Sequence, residues 1–309
     1  MSILFTFPGQ GAQRAGMLHT LPQVPEVQQT LEQTSHVLGT DPLLLDTATA
    51  LTSTYAVQLC LLIAGVAMAR VFVANNAAPD MVAGLSIGAY PAAVVAGIIS
   101  YSDAVQLVQR RGRLMESAYP AGYGMAAISG IDRYQLAPII ANIHSAATPV
   151  YLANLNGPRQ NVISGSEDAM QSVMTVALAV GATSAVRLAV NVPSHCELFN
   201  AAALEMQSAF GDIQVRRPEL TYLSASAARA LFDPAIIAAD LANNMATQVH
   251  WSETARLSWE RGARLAIEMP SGSVLTNLTT PLFSEGLAIA CENNRVDTLT
   301  ALIKRERGG

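Results

Sequence analysis

Only one lysine occurs in 309 residues: seventeen of the eighteen basic residues are arginine, and Lys304 is the single primary amine on a side chain. Schiff-base chemistry and a lysine-dependent phosphate loop therefore have almost nothing to work with. Cysteine is nearly as sparse. Cys60, Cys196 and Cys291 are widely separated and odd in number, which excludes a disulfide framework or a zinc cluster and suits core thiols. Charged residues make up 13% of the chain and the formal net charge is −5, with no basic run beyond Lys304–Arg307, so a nucleic-acid binder is not expected. Uninterrupted membrane-length apolar runs are missing as well. The uncharged stretch 81–102 is broken by Gly84, Ser86, Gly88, Pro91 and Gly97, the stretch 56–74 carries Gln58 and Arg70, and no signal-peptide pattern opens the chain. The expected location is cytoplasmic.

What is present is apolar: 51% hydrophobic residues, enough to bury the core of an enzyme-sized globular protein. The most informative run is Asp80-Met-Val-Ala-Gly84-Leu-Ser86-Ile-Gly88-Ala-Tyr90. An apolar strand ending at Gly84 and turning at Ser86 into a helix makes a nucleophile elbow, in which the hydroxyl stands at the top of a sheet. The strained turn leaves no room for side chains two residues before or after the serine, hence Gly84 and Gly88. The first free N–H groups of the following helix point where negative charge develops on a substrate oxygen. Acyl transfer is the chemistry that uses this arrangement; a glycine-rich turn without function is the bland alternative.

Apolar runs alternate with helical patterns, so the fold class is α/β, with a mostly parallel sheet covered on both faces. Strands are expected at 2–7, 82–85 and 265–268, and helices at 55–73, 103–118, 197–210 and 252–261. Between residues 123 and 188 the pattern becomes βαββαβ, with strands at 125–128, 150–154, 161–164 and 184–188 and helices at 133–143 and 167–179. That order is the ferredoxin-like split pattern. The expected organisation is a discontinuous large α/β subdomain, 1–122 and 189–309, carrying the hydrolase-like elbow, with a small inserted subdomain at 123–188.

A serine nucleophile needs a base, and of the five histidines His195 is best placed, in Val190-Asn-Val-Pro-Ser-His195-Cys, where an extended segment meets Pro193 and a helix start. A lone histidine also serves as a surface or capping residue. No aspartate stands out as its partner, and a backbone carbonyl can accept its second N–H. On the helix from Asp103, Ala104, Leu107, Val108, Leu114, Met115 and Ala118 form an apolar stripe with Arg111 in its middle, whereas Arg110 and Arg113 fall on the polar side. A core-facing arginine must be paired, either with a protein carboxylate or with one on a substrate, which bidentate guanidinium geometry suits. Near the N-terminus, Phe7-Pro-Gly9-Gln10-Gly11-Ala12 breaks a strand into a loop that lacks the third glycine of a dinucleotide site and the lysine of a P-loop. That loop is suited to bring a backbone N–H such as that of Gln10 beside the elbow.

The FPGQGAQ loop, the GLSIGAY elbow, RRGRLMES around Arg111, VPSHC around His195 and EMPSGSVLTNL from Glu268 together resemble the malonyl-CoA:acyl carrier protein transacylases, over nearly the whole chain. More narrowly, the elbow resembles that of the malonyltransferase (epsilon) subunit of malonate decarboxylase. The resemblance implies Ser86 as nucleophile, His195 as base, the N–H groups of Gln10 and Ile87 as oxyanion hole, Arg111 as clamp on the malonyl carboxylate, and the main-chain carbonyl of His250 as the acceptor that orients His195. It implies malonyl-CoA as substrate, no metal and no tightly bound cofactor, and as partner an acyl carrier protein with a thiol arm, with other malonate decarboxylase subunits as further possible partners. The expected reaction is loading of a malonate decarboxylase carrier; the alternatives are malonyl transfer for fatty-acid synthesis, a serine thioesterase or hydrolase, and a docking subunit without catalysis. Leu85 and Ala89 depart from the histidine and glutamate common in the family's elbow.

Overall fold

A computed structural model describes residues 1–119 and 121–308. It contains ten strands: β1 (Ser2–Phe7), β2 (Met81–Gly84), β3 (Tyr123–Ser129), β4 (Val150–Gly157), β5 (Gln160–Ser166), β6 (Ser184–Arg187), β7 (Thr221–Ser224), β8 (Arg229–Leu231), β9 (Ala263–Glu268) and β10 (Leu287–Ala290). Six of them form one sheet in the order β10-β9-β1-β2-β7-β8, parallel throughout except for the antiparallel edge strand β8.

Period-two alternation puts successive side chains of a strand on opposite faces, and β1 shows this directly. Ile3, Phe5 and Phe7 pack into the larger core with the Thr54–Ala74 helix, while Leu4 joins Trp251, Leu275 and Phe283 beneath the other face. The sheet is thus covered on both sides, as its apolar strands require. The Thr54–Ala74 helix is long and apolar enough to cross a membrane by composition, yet 89% of its most apolar window is buried inside the protein, because it packs between β1 of the sheet and the Pro25–Leu38, Ala89–Val95 and Tyr101–Ala118 helices.

The other four strands form an antiparallel sheet in the order β4-β5-β3-β6, backed by the Arg133–Ile143 and Glu167–Ala179 helices around their own apolar core. This is the strand order of the split βαββαβ pattern. All of it lies within 123–187, which supports the inserted-subdomain division we propose. The expected strands and helices are present to within a residue or two at most ends. Four-residue β7 and β10, three-residue β8 and the Pro25–Leu38, Pro234–Asn243 and Val296–Gly308 helices were not anticipated. The three strands are too short for periodicity to distinguish them from loop.

Two attachments position the site. Leu155 on β4 donates to the Val249 carbonyl and Val249 donates back to Ala153, so the small sheet is joined to segment 244–249. In the large unit, Gly112 lets the Tyr101–Ala118 helix approach the Thr54–Ala74 helix; a Cβ there would sit 2.7 Å from the Cα of Tyr55. That close approach brings Arg111 and Gln58, one from each helix, into contact.

Candidate active site

β2 ends at Gly84, a single 3-10 turn spans Ser86–Gly88, and the helix Ala89–Val95 follows. Ser86 holds φ 55°, a left-handed conformation that a side chain rarely adopts. A Cβ on Gly84 would overlap the backbone of Gly88, and one on Gly88 would overlap the Phe7 carbonyl. The elbow is as the sequence predicts, and for the steric reason given there.

His195 approaches from the far side of the site. Its Nε2 lies 2.8 Å from Ser86 Oγ, and its Nδ1 lies 3.0 Å from the Asn244 carbonyl and 3.1 Å from that of Thr247. Carbonyl oxygens only accept, so Nδ1 carries the proton and Nε2 is left to accept the Ser86 hydroxyl hydrogen. His195 is also left-handed, with φ 65°, and its own N–H donates to the Met245 carbonyl at 2.7 Å. Burial, and then the positive charge of Arg111, lower the imidazole to about 4 against the opposing effect of the two carbonyl bonds, so it is neutral near pH 7.

One expected residue is elsewhere. The His250 carbonyl accepts from the N–H and hydroxyl of Thr254 in the first turn of the next helix, so it is committed to helix capping and does not orient His195. The carbonyls of Asn244 and Thr247 occupy that role, six and three residues earlier in the same segment. The local sequence offered no signal for them, because a main-chain acceptor leaves no mark on side-chain identity.

Arg111 is fully buried. Its Nη1 donates to Gln58 Oε1 at 2.7 Å, and its Nη2 donates to Asn244 Oδ1 at 3.1 Å and to Ser86 Oγ at 3.3 Å. Among the described residues no carboxylate pairs with it. Burial lowers it to about 10, which leaves the guanidinium charged at neutral pH. Arg110 and Arg113 are exposed, as the stripe predicts. Gln58 and Asn244 were not anticipated as site residues; a glutamine inside an apolar helix was the only signal for the first.

Above Ser86 opens a cavity of about 240 Å³ between the two sheets, lined by Gly9, Gln10, Leu85, Asn154, Asn156 and His195 among others. Arg111 does not line it and reaches it only through its contact with Ser86. Gly9 packs directly on the elbow, since a Cβ there would sit 3.6 Å from that of Ser86. Among the described residues, neither the N–H of Gln10 nor that of Ile87 has a protein acceptor, so both are free to receive a ligand oxygen. Asn154 and Asn156 on β4 both line this cavity, and among the described residues each has a buried side-chain oxygen with no partner. Val274 and Leu275 close the mouth on the helix whose Leu275 and Thr276 N–H groups Glu268 accepts.

A hydroxyl bound to a neutral imidazole, a buried cation and free main-chain donors can form and break an acyl ester. The acyl transferase domain family matches residues 4–309. The chain belongs to that family. Among its relatives are the malonyl CoA-acyl carrier protein transacylases of Haemophilus influenzae, 34% identical over 92% of this chain and 93% of that one, and of Escherichia coli K12, 35% identical over 96% and 94%. Among solved structures, this acyltransferase is similar to an acyl carrier protein S-malonyltransferase from Vibrio cholerae, with TM-score 0.90, 33% identity, and 98% and 100% of the two chains covered. It is also similar to a malonyl-transacylase solved in complex with a type II PKS acyl-carrier protein, with TM-score 0.91, 32% identity, and 99% and 100% covered.

Proposed function

We propose that this acyltransferase moves a malonyl group from malonyl-CoA to the thiol arm of an acyl carrier protein through a malonyl ester on Ser86. The supporting observation is the convergence on one oxygen, Ser86 Oγ, of the His195 imidazole at 2.8 Å and the Arg111 guanidinium at 3.3 Å. His195 Nε2 takes the hydroxyl proton as Oγ attacks the thioester carbon. The tetrahedral oxyanion is held by the N–H groups of Gln10 and Ile87. Its collapse breaks the C–S bond, His195 returns the proton to the departing thiolate, and CoA leaves. The carrier thiol then gives its proton to His195 and attacks the ester carbon; the C–Oγ bond breaks, and His195 returns the proton to Ser86 Oγ as the malonyl thioester of the carrier leaves.

Arg111 forms an ion pair with the free malonyl carboxylate, which folds back past Ser86 to reach it. Asn154 and Asn156 supply the amide oxygens and NH₂ groups that a peptide-like thiol arm needs as it crosses the cavity. Both thiols, CoA and carrier, use the same passage in turn, and CoA is a substrate in this cycle rather than a resident cofactor.

The narrower expectation, a malonate decarboxylase carrier as acceptor, has no support from the relatives named above. They carry transacylase or S-malonyltransferase names and one is bound to a type II PKS acyl-carrier protein, so malonyl transfer for fatty-acid or related synthesis is the better reading. Hydrolase chemistry is disfavoured because the Nδ1 of His195 faces two carbonyls and not the acid expected between serine and histidine. A cytoplasmic location belongs to the same reading, supported by the packing of the apolar Thr54–Ala74 helix inside the fold. Incubation with malonyl-CoA tests the proposal: an acyl adduct on Ser86 that passes to a thiol-armed carrier supports it, and rapid release of free malonate with no transfer sinks it.

A further inference from the structure

Among the described residues, every group that contacts the Arg111 guanidinium is neutral. Gln58 and Asn244 present amide oxygens at 2.7 and 3.1 Å, Ser86 presents a hydroxyl, and the Tyr90 ring lies 5.9 Å from Cζ. The Tyr90 hydroxyl donates to the Leu241 carbonyl, and burial pushes it up to about 12, so it does not supply a negative charge. Among the described residues Arg111 Nε has no hydrogen-bond partner. A fully buried cation normally recruits a carboxylate, because an uncompensated charge is costly in a medium of low polarity.

The two amides are held with their oxygens toward the arginine. Gln58 Nε2 donates to Met115 Sδ at 3.2 Å, and Asn244 Nδ2 donates to Ser226 Oγ at 3.3 Å. Asn244 also gives its main-chain carbonyl to His195, so one residue sets both the base and the cation.

We propose that Gln58 and Asn244 are positioning residues that set acyl-group selectivity: by holding Arg111 through neutral oxygens alone, they leave a whole positive charge beside Ser86 for a carboxylate-bearing acyl group. This rests on the malonyl-transfer reading above. A carboxylate in place of either amide keeps the shape and the hydrogen bond but completes the ion pair inside the protein, leaving the substrate carboxylate nothing to neutralise and a like charge to meet. A neutral acyl group loses far less.

The test compares wild type with Gln58→Glu, Asn244→Asp and the uncharged control Gln58→Met. Malonyl-CoA and acetyl-CoA compete for Ser86, the two acyl-enzymes are quantified by mass spectrometry, and folding is checked by circular dichroism. The expected result is a malonyl-over-acetyl preference at least 100-fold lower in Gln58→Glu and Asn244→Asp, and less than tenfold lower in Gln58→Met. A merely structural role depresses both acyl groups together in all three variants, and that result overturns the proposal, as does an unchanged preference in a folded carboxylate variant. If one carboxylate variant fails to fold, the other makes the same comparison. Failure of wild type to accept malonyl at all strikes the function proposed above and is distinguishable from failure of this inference, which requires a malonylated wild type with charge-insensitive variants.

Discussion

Ser86 and His195, 109 residues apart in the chain, both hold left-handed backbone, with φ 55° and 65°, and meet at 2.8 Å through Oγ and Nε2. Each non-glycine residue in that region costs on the order of 1 kcal/mol and persists only where the surroundings over-determine it. At Ser86 the surroundings are Gly84 and Gly88; at His195 they are the Met245 carbonyl on its N–H and the two carbonyls on its ring.

Strain at the nucleophile separates stability from activity. Ser86→Ala and Ser86→Gly both remove the hydroxyl and abolish the acyl-enzyme, but only glycine relieves the positive φ. Ser86→Gly is expected to be more stable than Ser86→Ala by about 1 kcal/mol. Urea denaturation of the two variants measures the difference, and equal midpoints contradict the strain.

The elbow glycines act through sterics, so their loss is structural before it is catalytic. Gly84→Ala drives a methyl into the Gly88 backbone, and a destabilisation of about 3 kcal/mol or more is expected because backbone, not a flexible side chain, must move. A variant with wild-type thermal stability contradicts the packing described.

Removing the cation tests the clamp. Arg111→Ala is expected to depress malonyl loading by roughly 100-fold, the scale of a lost charge-assisted pair, with a much smaller effect on acetyl loading. Equal loss with both thioesters refutes the assignment.

The arm contacts predict the opposite signature. Asn156→Leu removes a cavity-facing amide without touching Arg111, and is expected to raise KM for malonyl-CoA and acetyl-CoA alike by about tenfold, the scale of one hydrogen bond. A change in the preference between the two in steady-state assays assigns Asn156 to the acyl group instead of the arm.

Acid pH should disable the enzyme late. Because His195 is held at about 4, against an ordinary 6.5, the neutral base survives until the pH approaches 4, and kcat/KM for malonyl-CoA is expected to lose its acid limb there. In Arg111→Ala one of the lowering causes is gone, so the limb moves to higher pH. The folded-state value lies below the unfolded one, so the unfolded chain binds the proton first. This group's contribution is complete above pH 6.5 and is lost at up to about 1.4 kcal/mol per pH unit as pH falls toward 4. An acid limb near 6.5 in the wild type argues that the imidazole is not shielded.

By itself the sequence determined the elements whose chemistry is written in residue type and spacing. Glycine on both sides of Ser86 announces a turn that admits no Cβ, an arginine in an apolar stripe announces a buried cation, and the order of short strands and helices across 123–188 announces the second sheet. Only the tertiary structure decided what meets what. The orienting carbonyls of Asn244 and Thr247, in place of His250, are main-chain atoms and so invisible in side-chain identity. Gln58 becomes a ligand of Arg111 only because Gly112 lets two helices close together, and Asn154 and Asn156 become cavity polar groups only because Val249, in segment 244–249, joins β4 to the large unit. Periodicity reports which face of an element is buried; contacts across the chain depend on packing, and packing is not a local property of sequence.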